Sequence, residues 1–239
     1  MPKLYGIGIG PGDPELLTVK AQNILKRMDL IFAPQSYIDK DSRAESIIRG
    51  VISQDTEIRR LLFPMSRDKQ VLNQFWRQAA DQIAEALKIK AEAAFITLGD
   101  PLTYSTYIYL LYMLKEHYPH IQLETVPGIT SYAATAAAAN LPMVEGGECL
   151  AIFPVARNSH QRLKNVLQHF ETTVLMKIGN NLTQVLEVLQ ELKLLDHALM
   201  VSQAGFTQQI MEVDLSRIKE ESRGYLAVII VKNPHKSES

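Results

Sequence analysis

Apolar residues follow two alternating rhythms along this chain: short unbroken runs, and longer stretches in which they recur at helical spacing. The first run, Leu4–Gly8, reads as a buried strand. Asp13-Pro14-Glu15 then makes a helix start, with Asp as N-cap, Pro at the first position and an acid in the first turn; Thr18 is a rival cap. Leu17, Ala21, Ile24, Leu25 and Met28 follow at helical spacing. Asp29–Ala33 is a second strand stopped by Pro34, and Glu57–Phe63 a third that ends at Pro64. A helix from Asn73 to Leu87 puts Trp76, Ala79, Ala80, Ile83 and Leu87 on one face, which reads Trp76 as core. Ala93–Leu98 and Ile121–Val126 complete the strands of this half. A helix over Thr103–Glu116 follows the former, and an alanine-rich helix reaching Asn140 follows the latter.

Strands alternating with helices imply parallel pairing through right-handed crossovers, so the first half is an α/β unit with a mainly parallel five-stranded sheet. From Glu148 the pattern restarts, with strands at Leu150–Phe153, Thr173–Met176, Ala198–Ser202, Ile210–Val213 and Tyr225–Val231 and helices at Gln161–Phe170 and Thr183–Leu194. The two strand-like runs within Gln208–Val231 make part of this sheet antiparallel. The expectation is two α/β domains in tandem, residues 1–126 and 127–239, the second with a mixed sheet; 239 residues suffice for both cores.

Composition narrows the chemistry. A hydrophobic content of 46% with 21% charged residues is that of an ordinary globular protein, and a net charge of −1 argues against tracking a nucleic-acid backbone. Cys149 is the single cysteine, which leaves no intramolecular disulfide or multi-thiolate metal site; a small buried residue is the expected role. The histidines show no metal-ligand spacing, so no metal is expected, and His117 and His120 read as solvated loop residues. No apolar run approaches the ~18 residues of a membrane span, and no basic-then-apolar leader opens the chain, so a soluble, cytoplasmic protein without membrane partners is expected.

The candidate chemistry lies in three glycine loops that follow strands in the first half: Gly10-Pro11-Gly12-Asp13-Pro14, Gly99-Asp100-Pro101 and Pro127-Gly128-Ile129-Thr130-Ser131. In a parallel sheet such carboxyl ends line one edge, where ligands bind. The first loop imitates a dinucleotide fingerprint and then departs from it. Counted from Gly6 the sixth place is Pro11, and from Gly8 it is Asp13; Pro11 and Pro14 lack the N–H donors a phosphate cradle needs. The loop admits close approach of a ligand but suits a phosphate poorly.

Together these segments resemble the tetrapyrrole methylase family. Gly8-Ile9-Gly10-Pro11-Gly12-Asp13-Pro14-Glu15-Leu16-Leu17-Thr18 is similar to its first motif, and Thr97-Leu98-Gly99-Asp100-Pro101-Leu102-Thr103-Tyr104-Ser105-Thr106-Tyr107 to the second in the form of its C20-methylating branch. Glu124-Thr125-Val126-Pro127-Gly128-Ile129-Thr130-Ser131 and Leu175-Met176-Lys177-Ile178-Gly179 resemble the third and fourth. Leu62-Phe63-Pro64-Met65 and Val144-Glu145-Gly146-Gly147-Glu148 also look like that branch. The likeness runs from Lys3 to Val231 with the motifs in family order.

The resemblance implies methyl transfer from S-adenosylmethionine to C20 of precorrin-2, or of its cobalt-loaded counterpart cobalt-factor II, with the cofactor cleft between the two domains and a homodimer as the assembly. Another ring position, or uroporphyrinogen III, is the alternative substrate on the same fold. Family positions carry the cofactor contacts onto Pro11, Leu98, Gly99, Asp100, Thr103, Thr130, Ser131, Met176, Ala204 and Gly205. Asp100 and Tyr104 are the candidate catalytic residues: Asp100 attracts the sulfonium or accepts the C20 proton, or else only caps the helix after Pro101. Tyr104 and Tyr107 are expected on one helical face near the cleft. Tyr109 and Tyr112 are expected to pack, and apolar Leu110, Leu111, Met113 and Leu114 can supply a dimer contact. A polycarboxylate substrate makes Arg43, Arg67, Lys69, Arg157 and Lys177 candidate clamps, each with a solvated surface role as the rival reading.

Overall fold

The computed structural model describes residues 1–36, 43–66, 68–218 and 224–234. The chain divides into two compact units, Met1–Thr130 and Ser131–Ser239.

The first unit holds strands β1 (Lys3–Gly8), β2 (Leu30–Gln35), β3 (Glu57–Leu62), β4 (Glu92–Thr97) and β5 (Gln122–Val126). All pair in parallel in the order β3-β2-β4-β1-β5. Helices α1 (Val19–Leu25), α2 (Arg43–Ile48), α3 (Lys69–Leu87) and α4 (Tyr107–His117) lie on the connections. The inner strands read as apolar runs because helices cover both faces of such a sheet: Leu4, Ile7, Ile31, Phe32, Phe95 and Ile96 are wholly buried. Their carboxyl ends meet at one edge, which is where the glycine loops leave the sheet.

Several local expectations change for physical reasons. Asp13 and Thr18 both cap: the Asp13 carboxylate accepts the Glu15 N–H of a 3₁₀ turn, and the Thr18 hydroxyl accepts the Ala21 N–H to begin α1. Pro34 does not stop β2, which continues to Gln35. The carbonyls of Asp29 and Gln35 face β3, so the position of Pro34 that lacks an N–H faces β4, where pairing has ended at Phe32. Helix α3 begins at Lys69, a turn before the expected Asn73, because Asp68 caps it through the Gln70 N–H at 2.8 Å. The short helix α2 carries no strong periodic signal and was not expected from the sequence.

The helix after the second loop starts at Tyr107 and not at Thr103, so Tyr104 lies before it and shares no helical face with Tyr107. Tyr107 is fully buried. Its ring occupies the space beside Gly6, where an added Cβ would meet the ring carbon Cζ at 2.0 Å, and its hydroxyl lies 3.2 Å from Thr125 Oγ1. Leu110 and Leu114 belong to the same core, not to a free interface, and Leu111 and Met113 pack against it. Trp76 is partly buried against this core and stacks on Tyr109, with centroids 4.1 Å apart and planes within 2°.

The second unit contains α5 (Ser131–Ala138), β6 (Leu150–Pro154), α6 (His160–His169), β7 (Thr172–Met176), α7 (Leu182–Glu191), β8 (Ala198–Ser202), β9 (Ile210–Glu212) and β10 (Ala227–Lys232). Its sheet runs β6-β7-β10-β8-β9 and is mixed: β6 and β7 are parallel, and the other neighbours antiparallel. One face is closed by Leu163 and Leu167 of α6 and Val185 and Leu189 of α7 over Leu175 and Ile229; Ala136 of α5 packs with Val174, Val228 and Ile230 on the other. Cys149 is exposed, contrary to the buried role expected, because it lies in the irregular segment just before β6. Among the described residues no helix is long and apolar enough to cross a membrane, and no group of three or more His, Cys, Asp and Glu side chains is placed to hold a metal.

Candidate active site

At the carboxyl edge of the first sheet the three glycine loops touch backbone to backbone. Gly10 and Gly99 form an isolated bridge, the Gly10 N–H donating to the Gly99 carbonyl at 3.3 Å and the Gly99 N–H to the Gly10 carbonyl at 2.7 Å. Both take left-handed φ, +75° and +67°, which glycine adopts without steric cost. The third loop lies against the other two: a Cβ on Gly128 would fall 2.2 Å from the Gly99 carbonyl oxygen, and one on Gly8 would fall 2.6 Å from the Gly128 nitrogen. No side chain fits where three chain segments touch backbone to backbone.

Asp100 locks this arrangement. Its Oδ1 accepts the Leu102 N–H at 2.9 Å and the Thr103 hydroxyl at 3.4 Å, and its Oδ2 accepts the Gly128 N–H at 3.2 Å. One carboxylate thus shapes its own loop and holds the third loop to the second. Beneath it, Thr97 and Ser105 hydroxyls are 2.9 Å apart, and Ser105 Oγ accepts the Tyr107 N–H at 3.1 Å. Tyr104, next to Ser105 in the chain, has φ +52° and is 38% exposed. Partial burial pushes its hydroxyl pKa up, so at neutral pH the phenol remains protonated and able to donate. Pro11 is buried, whereas Leu98, Gly99, Asp100 and Thr103 are half-buried around the bridge.

In the second unit, β6, β7 and β8 run in one direction and β10 against them, so the ends of the first three and the start of β10 share an edge. Met176, Ala204 and Gly205 lie at that edge. Lys177 follows Met176 with φ +59° and is exposed, yet the protein gathered around it pushes its ammonium pKa down by desolvation. Gly205, at φ +81°, donates its N–H to the Gln209 side-chain carbonyl at 2.9 Å. Gly224 packs on the β7 end so closely that a Cβ there would meet the Gly179 carbonyl oxygen at 2.0 Å.

The family model for tetrapyrrole (corrin/porphyrin) methylases matches residues 3–219. The chain belongs to this family. Among its relatives, a probable cobalt-precorrin-2 C(20)-methyltransferase of Methanocaldococcus jannaschii is 38% identical over 235 residues, 96% of each chain. The cobalt-precorrin-2 C(20)-methyltransferase of Salmonella typhimurium is 36% identical over 202 residues, 84% of each. Among solved structures, the uroporphyrin-III C-methyl transferase of Thermus thermophilus complexed with S-adenyl homocysteine shares the fold, with a TM-score of 0.62 at 17% identity, covering 96% of this chain and 97% of that one.

For a tetrapyrrole methylase, the two sheet edges collect the residues singled out from the sequence unevenly. Pro11, Leu98, Gly99, Asp100 and Thr103 gather at the first edge, and Met176, Ala204 and Gly205 at the second; Thr130 ends the first unit and Ser131 opens α5. Tyr107 joins neither edge, since it is core. Of the candidate clamps, Lys177 and Arg157 follow the carboxyl ends of adjacent strands β7 and β6, while Arg43 lies on α2, Lys69 starts α3, and Arg67 lies outside the described residues. Gly8, Gly128 and Gly224 are steric requirements that the sequence does not single out. Glycine inside a motif was the available signal, but which backbone it must admit shows only in three dimensions.

Proposed function

We propose that this methylase transfers the methyl group of S-adenosylmethionine to C20 of precorrin-2 or cobalt-factor II in cobalamin biosynthesis. What carries the reading is the identity, maintained across nearly the whole chain, to a relative named for that reaction. The site residues suit the donor. Left-handed glycines and proline-rich turns give open backbone with few N–H groups to cradle a phosphate, which a sulfonium nucleoside does not carry.

Pro11, Leu98, Gly99, Asp100, Thr103, Thr130, Ser131, Met176, Ala204 and Gly205 would hold it. Bound S-adenosylmethionine supplies an already activated methyl, so the protein needs neither a metal nor a covalent nucleophile. The protein's part is positioning and exclusion of water. The Asp100 carboxylate, fixed by Leu102, Thr103 and Gly128, sets negative charge where a sulfonium is favoured and is the candidate acceptor of the C20 proton. Tyr104, kept protonated, donates a hydrogen bond to the tetrapyrrole. Lys177 and Arg157 meet its carboxylates, and among the described residues neither forms an ion pair.

The same reading makes the enzyme a cytoplasmic homodimer, with exposed Tyr112 and the open face of Tyr109 available for an aromatic contact. The test is incubation with methyl-13C S-adenosylmethionine and either tetrapyrrole, followed by NMR location of the label. Label at C20 is expected; label at another ring carbon, or methylation of uroporphyrinogen III alone when it is offered in a parallel incubation, contradicts the assignment.

A further inference from the structure

Seven non-glycine residues among those described have left-handed backbone, a conformation that a Cβ makes costly and that persists where the surroundings over-determine it. Asn140 and Lys193 close helices, through Leu141 N–H to Ala136 carbonyl at 2.9 Å and Leu194 N–H to Leu189 carbonyl at 2.8 Å, and Asn158 is of the type that tolerates this region. Lys177, Gln203 and Leu226 lie where strands of the second sheet end or begin, and the Gln203 N–H donates to the Leu226 carbonyl at 3.0 Å. Tyr104, in the loop between β4 and α4, is the one left-handed non-glycine residue at the first edge among those described.

The neighbours of Tyr104 show what holds it there. Tyr104 is exposed, whereas Ser105 is buried and bound at two atoms. The Ser105 Oγ lies 2.9 Å from the Thr97 hydroxyl at the end of β4 and accepts the Tyr107 N–H at 3.1 Å, and the Ser105 carbonyl accepts the Ile108 N–H at 3.3 Å. Thr106, the residue before α4, makes no side-chain cap, so Ser105 takes that role, and one hydroxyl joins the end of β4 to the start of α4. Tyr107 cannot follow a shift of the turn, since its ring fills the notch at Gly6. On the other side, the Thr103 hydroxyl donates to Asp100. Both chain neighbours of Tyr104 are thus anchored, and the left-handed turn is what joins them.

We propose that Ser105 and Thr97 are a positioning pair for methyl transfer: their buried hydroxyls fix the turn that presents the Tyr104 phenol to the tetrapyrrole, and neither touches the substrate. This role rests on the reading above that Tyr104 donates a hydrogen bond to the tetrapyrrole. Steady-state methyl transfer to precorrin-2 or cobalt-factor II, whichever is turned over, tests it in Ser105→Ala, in Tyr104→Phe and in the double variant, beside calorimetry with S-adenosylhomocysteine. Ser105→Ala should lower kcat/KM for the tetrapyrrole about three- to tenfold, the worth of one hydrogen bond, with S-adenosylhomocysteine affinity unchanged. In the Tyr104→Phe background it should lower kcat/KM no further. Thr97→Val, which removes the partner hydroxyl, should behave as Ser105→Ala does, whereas Thr97→Ser, which keeps it, should restore turnover; these two carry the test if Ser105→Ala does not fold. Unchanged kcat/KM in Ser105→Ala and Thr97→Val, equal losses with and without the Tyr104 hydroxyl, or a matching loss of S-adenosylhomocysteine affinity overturns the positioning role. Unchanged kcat/KM in Tyr104→Phe alone removes instead the reading that Tyr104 meets the substrate, which separates the two failures.

Discussion

The two sheet edges reach similar ends by opposite means. In the first, close approach of chain segments is achieved by deleting side chains: Gly8, Gly10, Gly99 and Gly128 let three loops touch through backbone, with the Asp100 side chain tying the third loop to the second. In the second, Gly179 and Gly224 serve the same purpose, but Lys177, Gln203 and Leu226 keep their side chains and accept left-handed backbone. The first edge is thus limited by sterics and the second by conformational strain. A substitution that adds a methyl should damage the first, whereas one that removes a side chain should relax the second.

The largest expected effect breaks the first edge. Gly128→Ala places Cβ 2.2 Å from the Gly99 carbonyl oxygen and 2.8 Å from Gly8 backbone, and neither can yield as a side-chain tip would. We expect a loss of about 3 kcal/mol or more in urea unfolding, or failure to fold, given the usual cost of overpacking. Stability like that of the unsubstituted protein would contradict the backbone-contact account.

Next comes the polar tie. Asp100→Ala removes the acceptor for Leu102, Thr103 and Gly128, and should lower kcat/KM by about ten- to a hundredfold, the worth of hydrogen bonds to a charged group. Asp100→Asn retains an oxygen for Leu102 and Thr103. If positioning is its whole role, Asn should recover most S-adenosylhomocysteine affinity and turnover together; recovery of affinity without turnover assigns the charge to the reaction.

A smaller effect is expected beneath the loops. Tyr107→Phe keeps the ring that fills the space at Gly6 and removes the hydroxyl that meets Thr125, so stability should fall by about 1 kcal/mol with KM for the cofactor unchanged. The smallest lies on β5. Lys20 and Lys3 hold the Glu124 carboxyl down to about 2, so its contribution is present above the ordinary carboxylate range and is lost as pH falls toward that value. Glu124→Gln should cost under about 1 kcal/mol at pH 7, as for exposed ion pairs, and should flatten the acid limb of a stability–pH curve below about pH 4.5. An unaltered acid limb would show that the pairs contribute nothing.

This contrast also explains what could be read from the sequence. Parallel strands announce themselves as apolar runs, and glycine announces the first edge, because only glycine satisfies its sterics. Tyr107 was misplaced since a tyrosine beside a binding motif has the composition of a site residue, and only the notch at Gly6 shows that its ring turns inward. Pro34 misled because a proline ends a strand only where its missing N–H has a partner to lose. Leu226 and Gln203 were silent: side-chain identity argues against positive φ, so strain imposed by neighbouring strands leaves no trace in composition or spacing.

Pro11 and Pro14 leave the first edge short of N–H groups to cradle a phosphate, and that can be measured directly. Titration of the full chain with S-adenosylhomocysteine, NAD and ATP by calorimetry should give one saturable site per chain for the first and no binding of the other two. Saturable binding of NAD or ATP, with none of S-adenosylhomocysteine, would contradict the account.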